Sequence, residues 1–216
     1  MRLIANGLAC VRGERELFSG VNFSLSAGQL LLLQGANGSG KSSFLRLIAG
    51  LLPAAAGTLQ INDAPPAGDW PELRRHLNYI GHLDPVKSAL SASENLSFWM
   101  GLAGVNLHYD RRDGISGGIT EANGATQALE ALGIAGLADI PARFLSSGQR
   151  RRLNLARLAA IPRPLWLLDE PTVGLDDSAS RLLIRLMESH LDGGGLIIAA
   201  SHVDLGVSIS IQLQVG

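Results

Sequence analysis

The run Gly35-Ala36-Asn37-Gly38-Ser39-Gly40-Lys41-Ser42 follows the buried-looking stretch Leu30–Leu33 and precedes apolar residues at helical spacing. It fits G-x-x-x-x-G-K-[S/T] in a strand–loop–helix setting, the setting in which that pattern holds phosphates. A triphosphate needs many donors converging on it, and backbone N–H groups can converge only where side chains are absent. Gly35, Gly38 and Gly40 admit the backbone angles that aim those groups inward. A helix beginning near Lys41 adds the positive end of its dipole. Lys41 is then placed to reach the β- and γ-phosphates as a point charge, Ser42 to offer a hydroxyl to magnesium, and Ser43 to touch the α-phosphate. Nucleotide binding is the first expectation, with contacts from every residue between Gly35 and Ser43.

A second chemical signal is Leu165-Trp166-Leu167-Leu168-Asp169-Glu170, four apolar residues running into two acids. Acids at a strand end are most often caps or ion pairs. In a chain that also carries a phosphate loop, Asp169 is expected to hold magnesium, directly or through water, and Glu170 to polarise an attacking water. His202, after "LIIAAS", ends another predicted strand at the edge where such sheets carry ligands.

The elements that must position these groups can be read from periodicity. Leu30–Leu33, Leu165–Leu168 and Leu196–Ala200 are short apolar runs, as in the buried strands of a parallel sheet. Residues 3–33 alternate apolar and polar positions around the turns "VRGERE" and "SAGQ", which predicts antiparallel strands ahead of the first buried one. "AAAGTLQIND" reads as a turn and strand, "LNYIGH" as a short core strand with a polar end, and Ile209–Val215 as an edge strand. Helices are predicted from Ser42 to Ala49, from the serine caps of "SSGQRRRLNLARLAA" to just before Pro162, and over Asp176–His190. From Ser91 to about Arg143, helix-like segments are broken by glycines. This stretch, with "GISGGIT" as a mobile loop, reads as an inserted helical subdomain. The fold class is α/β: a P-loop NTPase parallel sheet with an antiparallel β flank and a helical subdomain. The expected division is a nucleotide-binding core of residues 1–82 and 144–216 around a helical subdomain of residues 83–143, in one domain of 216 residues.

Composition narrows the function classes. Net charge is −1, so the chain as a whole has no electrostatic footprint for nucleic acid. Hydrophobic residues make up 46% of the sequence, yet no apolar run is long enough to span a bilayer. That apolar balance suggests a covered surface. The lone Cys10 excludes a disulfide framework and a cysteine metal site. The apolar run before it is too short for a lipoprotein signal, so a cytoplasmic chain is expected.

These pieces, in this order, resemble the nucleotide-binding subunit of ABC transporters, and the likeness covers essentially the whole chain. "LSSGQRRR" (Leu145–Arg152) looks like the family's signature with Ser147 in place of a glycine. Alone it would read as an ordinary serine-capped helix start. "GLD" (Gly174–Asp176) matches the loop that touches the partner subunit, and His202 matches the switch histidine. The resemblance implies ATP and Mg2+ as cofactors, ATPase activity with Lys41, Glu170 and His202 as catalytic residues, and Ser42 and Asp169 at the metal. It also implies that the signature acts in trans, with Ser146, Ser147, Gly148 and Gln149 of one copy completing the nucleotide site of another.

Two positions depart from the family pattern. Arg12 stands where an aromatic residue usually stacks on adenine, and a guanidinium plane can do the same. His82 stands where a glutamine usually senses magnesium and the attacking water. Within the family, "YIGHLDPVKSALSASENLSFW", "CVRGERELFSGVNFSL" and the short C-terminus look most like the haem-export ATPases of bacterial cytochrome c maturation. That likeness implies a homodimer at the cytoplasmic face of the bacterial inner membrane, bound to integral-membrane subunits of that system. Two other readings remain open: a soluble ABC ATPase assembling a cofactor, and a nucleic-acid-associated ABC ATPase. Neutral charge and the lack of a long coiled coil speak against the last.

Overall fold

The computed structural model describes residues 1–62, 70–105 and 121–215, so the glycine-rich stretch expected as a mobile loop lies outside the described residues. In chain order the elements are β1 (Arg2–Arg12), β2 (Arg15–Ser26), β3 (Leu30–Gln34), α1 (Lys41–Ile48), β4 (Ala56–Ile61), α2 (Trp70–Arg75) and β5 (Leu77–Ile80). They continue with α3 (Ala92–Leu102), α4 (Glu121–Ala131), α5 (Ser147–Ala160), β6 (Leu165–Asp169), α6 (Asp177–Asp192), β7 (Leu196–Ala200) and β8 (Ile211–Gln214). The chain divides into two compact units. One comprises Met1–His82, Arg163–Pro171 and Met187–Gly216; the other comprises Leu83–Pro162 and Thr172–Leu186. The second unit therefore takes in α5, whereas the sequence-based division ends the helical part at residue 143.

The first unit holds two sheets. A parallel sheet runs β5-β6-β7-β3-β8, and an antiparallel sheet runs β2-β1-β4. β6 and β7 are buried at every residue and β3 at all but Gln34, which is why each reads as a continuous apolar run rather than an alternation. β1 alternates only in part. Register shifts between Ala5 and Leu8 and around Cys10 bulge the strand, so Leu8, Ala9 and Cys10 are buried in succession. Among the described residues only β6 pairs with β5, which makes it an edge strand of this sheet.

α1 carries the packing between these parts of the unit. Its Phe44 is fully buried, with ring centroids 5.4 Å from Phe18 and 5.9 Å from Phe23 of β2. Leu45, Leu47 and Ile48 join the same core cluster as Leu31, Leu33, Leu165 and Ile198. Truncating a buried phenylalanine of this kind costs about 3–5 kcal/mol, so the helix behind the phosphate loop is firmly held.

The second unit is helical. Ser91 and Glu94 form a reciprocal capping box that starts α3, and Ser146 and Gln149 form another that starts α5. Leu96, Met100, Leu129, Leu132, Leu153 and Leu155 supply its buried apolar positions.

Candidate functional site

Sheet register brings four of the sequence-singled groups to one edge of the first unit. Leu33 of β3 pairs with Ala200 of β7, and Ala200 pairs with Asp169 of β6. Ile80 of β5 pairs with Leu168. The phosphate loop, the two acids, His202 and His82 therefore all leave the sheet at the carboxyl ends of neighbouring parallel strands, where α/β sheets bind ligands.

The phosphate loop is a cradle that side chains would fill. A Cβ on Gly35 would run into the Val215 carbonyl and lie 2.6 Å from Ser39 Oγ. Gly40 has φ 108° and caps α1 in a left-handed conformation; a Cβ there would lie 3.2 Å from Leu17 Cβ. No side chain caps α1 and no acid occupies its first turn, so its first-turn amides lack a side-chain partner. Ser39 Oγ is buried without a hydrogen-bond partner among the described residues. Lys41 is 8% exposed, and its Nζ donates to the carbonyls of Gly35 at 2.6 Å and Ala36 at 3.0 Å. The loop's own carbonyls thus hold the ammonium beside an uncapped helix start. Asn37 and Gly38 form the exposed turn, and Ser43 is buried.

Ser42 and Asp169, 127 residues apart in sequence, meet: Ser42 Oγ donates to Asp169 Oδ1 at 3.0 Å. Asp169 is 2% exposed. Glu170, the next residue, has φ 47°, one of two non-glycine residues with positive φ among those described. Its amide donates to the Ala200 carbonyl at 2.9 Å, and His202 Nδ1 stands 2.9 Å from Glu170 Oε2, within ion-pairing distance. Glu170 is turned out of the strand line toward the histidine, and the backbone conformation that does it is one L-residues adopt at a cost.

Arg12 is exposed at the tip of the β1–β2 hairpin, opposite Arg15, five residues before the Leu17 that packs on Gly40. His82 is exposed, two residues beyond β5. In the second unit, Ser146 Oγ accepts from the Gln149 amide at 3.2 Å, while the Ser146 amide donates to Gln149 Oε1 at 2.8 Å. Ser147 is exposed at the first position of α5. Gly148 is a place where a side chain would crowd: its Cβ would lie 3.3 Å from the Gly174 carbonyl, so the signature and the "GLD" loop abut within this unit. Asp176 Oδ1 accepts from the Ala179 amide at 2.7 Å and caps α6.

Sequence reasoning passed over Tyr79. Its hydroxyl hydrogen-bonds the Arg46 side chain of α1 and lies 3.2 Å from where a Cβ on Gly81 would be. Burial pushes its pKa up, the Arg46 hydrogen bond opposes this, and the Asp169 charge adds to the rise. An aromatic with a polar tip in a strand leading to the site was the available signal.

The family described as ABC transporter matches residues 18–173. This chain belongs to the ABC transporter family. Among curated relatives it is similar to the "Cytochrome c biogenesis ATP-binding export protein CcmA" of Nitrobacter winogradskyi, 45% identical over 216 residues that cover 100% of this chain and 98% of the relative. It is also similar to the protein of the same description from Rhodopseudomonas palustris strain BisB5, 47% identical with the same coverage. Among solved structures, an ATP-binding cassette described as a dimer in a post-hydrolysis state bound to ADP and Pi superposes with a TM-score of 0.79 at 24% identity, covering 100% of this chain and 94% of that one. That last likeness is one of fold: an ABC ATPase fold with a five-stranded parallel sheet. Among the described residues of this ABC family member, no helix is long and apolar enough to cross a membrane.

Proposed function

We propose that the chain is the ATP-hydrolysing subunit of an ABC export complex for cytochrome c biogenesis, acting as a homodimer on integral-membrane partner subunits at the cytoplasmic face of the inner membrane. The observation that carries this reading is end-to-end identity of 45% and 47% to two cytochrome c biogenesis ATP-binding export proteins, combined with a phosphate cradle beside two acids. ATP occupies the cradle from Gly35 to Ser43, and Arg12 stacks on its base. Lys41 exchanges its two loop carbonyls for phosphate oxygens.

Ser42 Oγ and Asp169 Oδ1 fit Mg2+, since both are hard oxygen donors already 3.0 Å apart beside the helix start. Bound there with the nucleotide, Mg2+ would neutralise charge on the phosphates. Glu170 orients a water for in-line attack on the γ-phosphorus and accepts its proton. The new bond is from water oxygen to phosphorus, and the bond to the β-phosphate oxygen breaks, giving ADP and phosphate. His202, at 2.9 Å from Glu170, holds that carboxylate in place. Ser146 of a second copy completes the site: its oxygen is engaged by the Gln149 amide, which leaves the hydroxyl proton to donate to a γ-phosphate oxygen. Leu83, 81% exposed, and Phe144, 67% exposed, are apolar side chains suited to a membrane-subunit contact.

The test is genetic and chemical together. Deleting the gene in its host should abolish haem-bearing periplasmic cytochromes c, seen by haem staining. The wild-type gene should restore them and a Glu170→Gln gene should not. Normal cytochromes c in the deletion strain would refute the assignment to this export system.

A further inference from the structure

The segment between His82 and α3 is fastened within its own unit by a buried polar network. Asp84 Oδ1 accepts from Arg151 Nη1 at 3.1 Å and from Asn154 Nδ2 at 2.8 Å, both on α5. Asn154 Oδ1 in turn accepts from Arg157 Nη1 at 2.9 Å, and the Arg157 guanidinium lies 4.0 Å over the Trp99 ring of α3. Residues 151, 154 and 157 share one face of α5. Arg151 is 5% exposed and Asn154 1%. Asn95 of α3, also 1% exposed, closes the other end: its Oδ1 accepts from the Lys87 amide at 2.8 Å, and its Nδ2 donates to the carbonyls of Lys87, Leu90 and Ser91. The amides of Ala142 and Arg143, just ahead of the signature, donate to Leu90 and Ser88. An apolar contact would hold such a segment as stably as a buried ion pair does. What the polar network adds is a fixed geometry, because Asp84 Oδ1 and Asn95 each tie the segment to a helix through several directional bonds at once.

We propose that Asp84 is a positioning residue that locks the segment 83–91 to the signature helix α5, so that a load taken up at exposed Leu83 reaches Ser146 as movement of one body. This rests on the ATPase reading above and deepens it. Asp84 touches neither nucleotide nor reacting atoms; it acts through Arg151 and Asn154. The phosphate loop and the acids belong to the other unit, so ATP affinity is independent of the tether and turnover is not.

The experiment uses the full chain with Asp84→Ala, Asp84→Asn and, as a control that loosens the same unit with the tether intact, Leu129→Ala. Asp84→Ala should lower kcat for ATP by about 10-fold while KM changes by less than about 2-fold. Asp84→Asn keeps an Oδ1 acceptor and should recover kcat to within about 3-fold of wild type. In hydrogen exchange, Asp84→Ala should speed exchange at Leu90 and at Gln149 and Arg150 together, which Leu129→Ala should not do at matched Tm. Unchanged kcat in Asp84→Ala, or kcat that merely tracks Tm across all three variants, would overturn the tether. If the wild-type chain hydrolyses no ATP, the ATPase reading fails. The exchange pattern then decides the tether: joint opening of the two segments supports it, and opening of only one refutes it.

Discussion

Glu170 and Lys41 lie in one site but are held in opposite ways, and that separates their predicted losses. Lys41 is drawn into the loop by two carbonyls, so on the proposed function it is a fixed positive charge where the phosphates would enter. Lys41→Ala should remove charge-assisted bonds worth about 1.5–3 kcal/mol, and most ATP binding with them, by calorimetry. Glu170 sits at φ 47° with His202 Nδ1 2.9 Å from its carboxylate, and its proposed task is to orient water rather than to hold phosphate, so Glu170→Gln should bind ATP normally and release no phosphate. Near-normal phosphate release by that variant would sink the water-orienting role. His82 makes a finer case, because register sets it beside the acids while its side chain is exposed. A neutral imidazole offers an acceptor there, and an amide offers a similar one. His82→Ala should therefore leave ATP affinity near wild type and slow hydrolysis, whereas His82→Gln should recover much of the rate. Equal losses in both variants, in step with Tm, would reduce His82 to a strand-end cap.

At the scale of elements, the end of β6 depends on a packing feature remote from any phosphate. Trp166 of β6 stacks on His190 of α6, with ring centroids 3.8 Å apart and planes 8° apart, and the imidazole lies where a Cβ on Gly195 would be. Gly195→Ala must push the ring off its stack and should cost about 1–3 kcal/mol, read as a fall in Tm. Burial lowers the His190 pKa below its ordinary 6.5, with backbone hydrogen bonds to Leu196 and Pro164 opposing the shift. The unfolded chain therefore takes up the proton first as pH falls. The stability tied to the neutral ring is complete above 6.5 and is lost as pH drops through 6.5 toward the folded-state pKa. His190→Phe keeps a stacking ring without the proton, so its Tm should fall less than that of wild type over this acid range. Parallel Tm–pH profiles would exclude the His190 contribution. Much at this scale was legible in the sequence: the unbroken apolar runs of β3, β6 and β7, the glycines of the loop, and the two acids ending a strand are all local signals. The edge position of β5 was not, since four residues carry no mark of how many strands flank them. Nor was the Asp84 network, whose partners lie 67 and 70 residues away on a helix already explained by its apolar face. Ser146 and Gln149 were legible twice over, as a helix start and as a signature, and the capping box in the structure is compatible with both.

At the scale of the whole molecule, the chain has one phosphate loop and one signature, and they belong to different compact units. The signature's first helical turn is already finished by its own capping box, so Ser146 needs nothing further from its own chain to fold. Its hydroxyl proton is left to donate outside the helix, and on the proposed function the acceptor is a γ-phosphate oxygen. On the proposed function a second copy with ATP in its cradle would present one, and two such copies would complete each other's sites symmetrically, as in a closed two-fold dimer. ATP should therefore drive association, and hydrolysis should end it. In sedimentation, Glu170→Gln should be monomeric without nucleotide and dimeric with ATP, and Glu170→Gln with Lys41→Ala should remain monomeric in both. Wild-type turnover per chain should rise with protein concentration until the dimer is saturated. Turnover per chain that stays constant across a dilution series, in a protein that sediments as a monomer with ATP bound, would rule out the shared site and require the signature to serve the phosphate loop of its own chain.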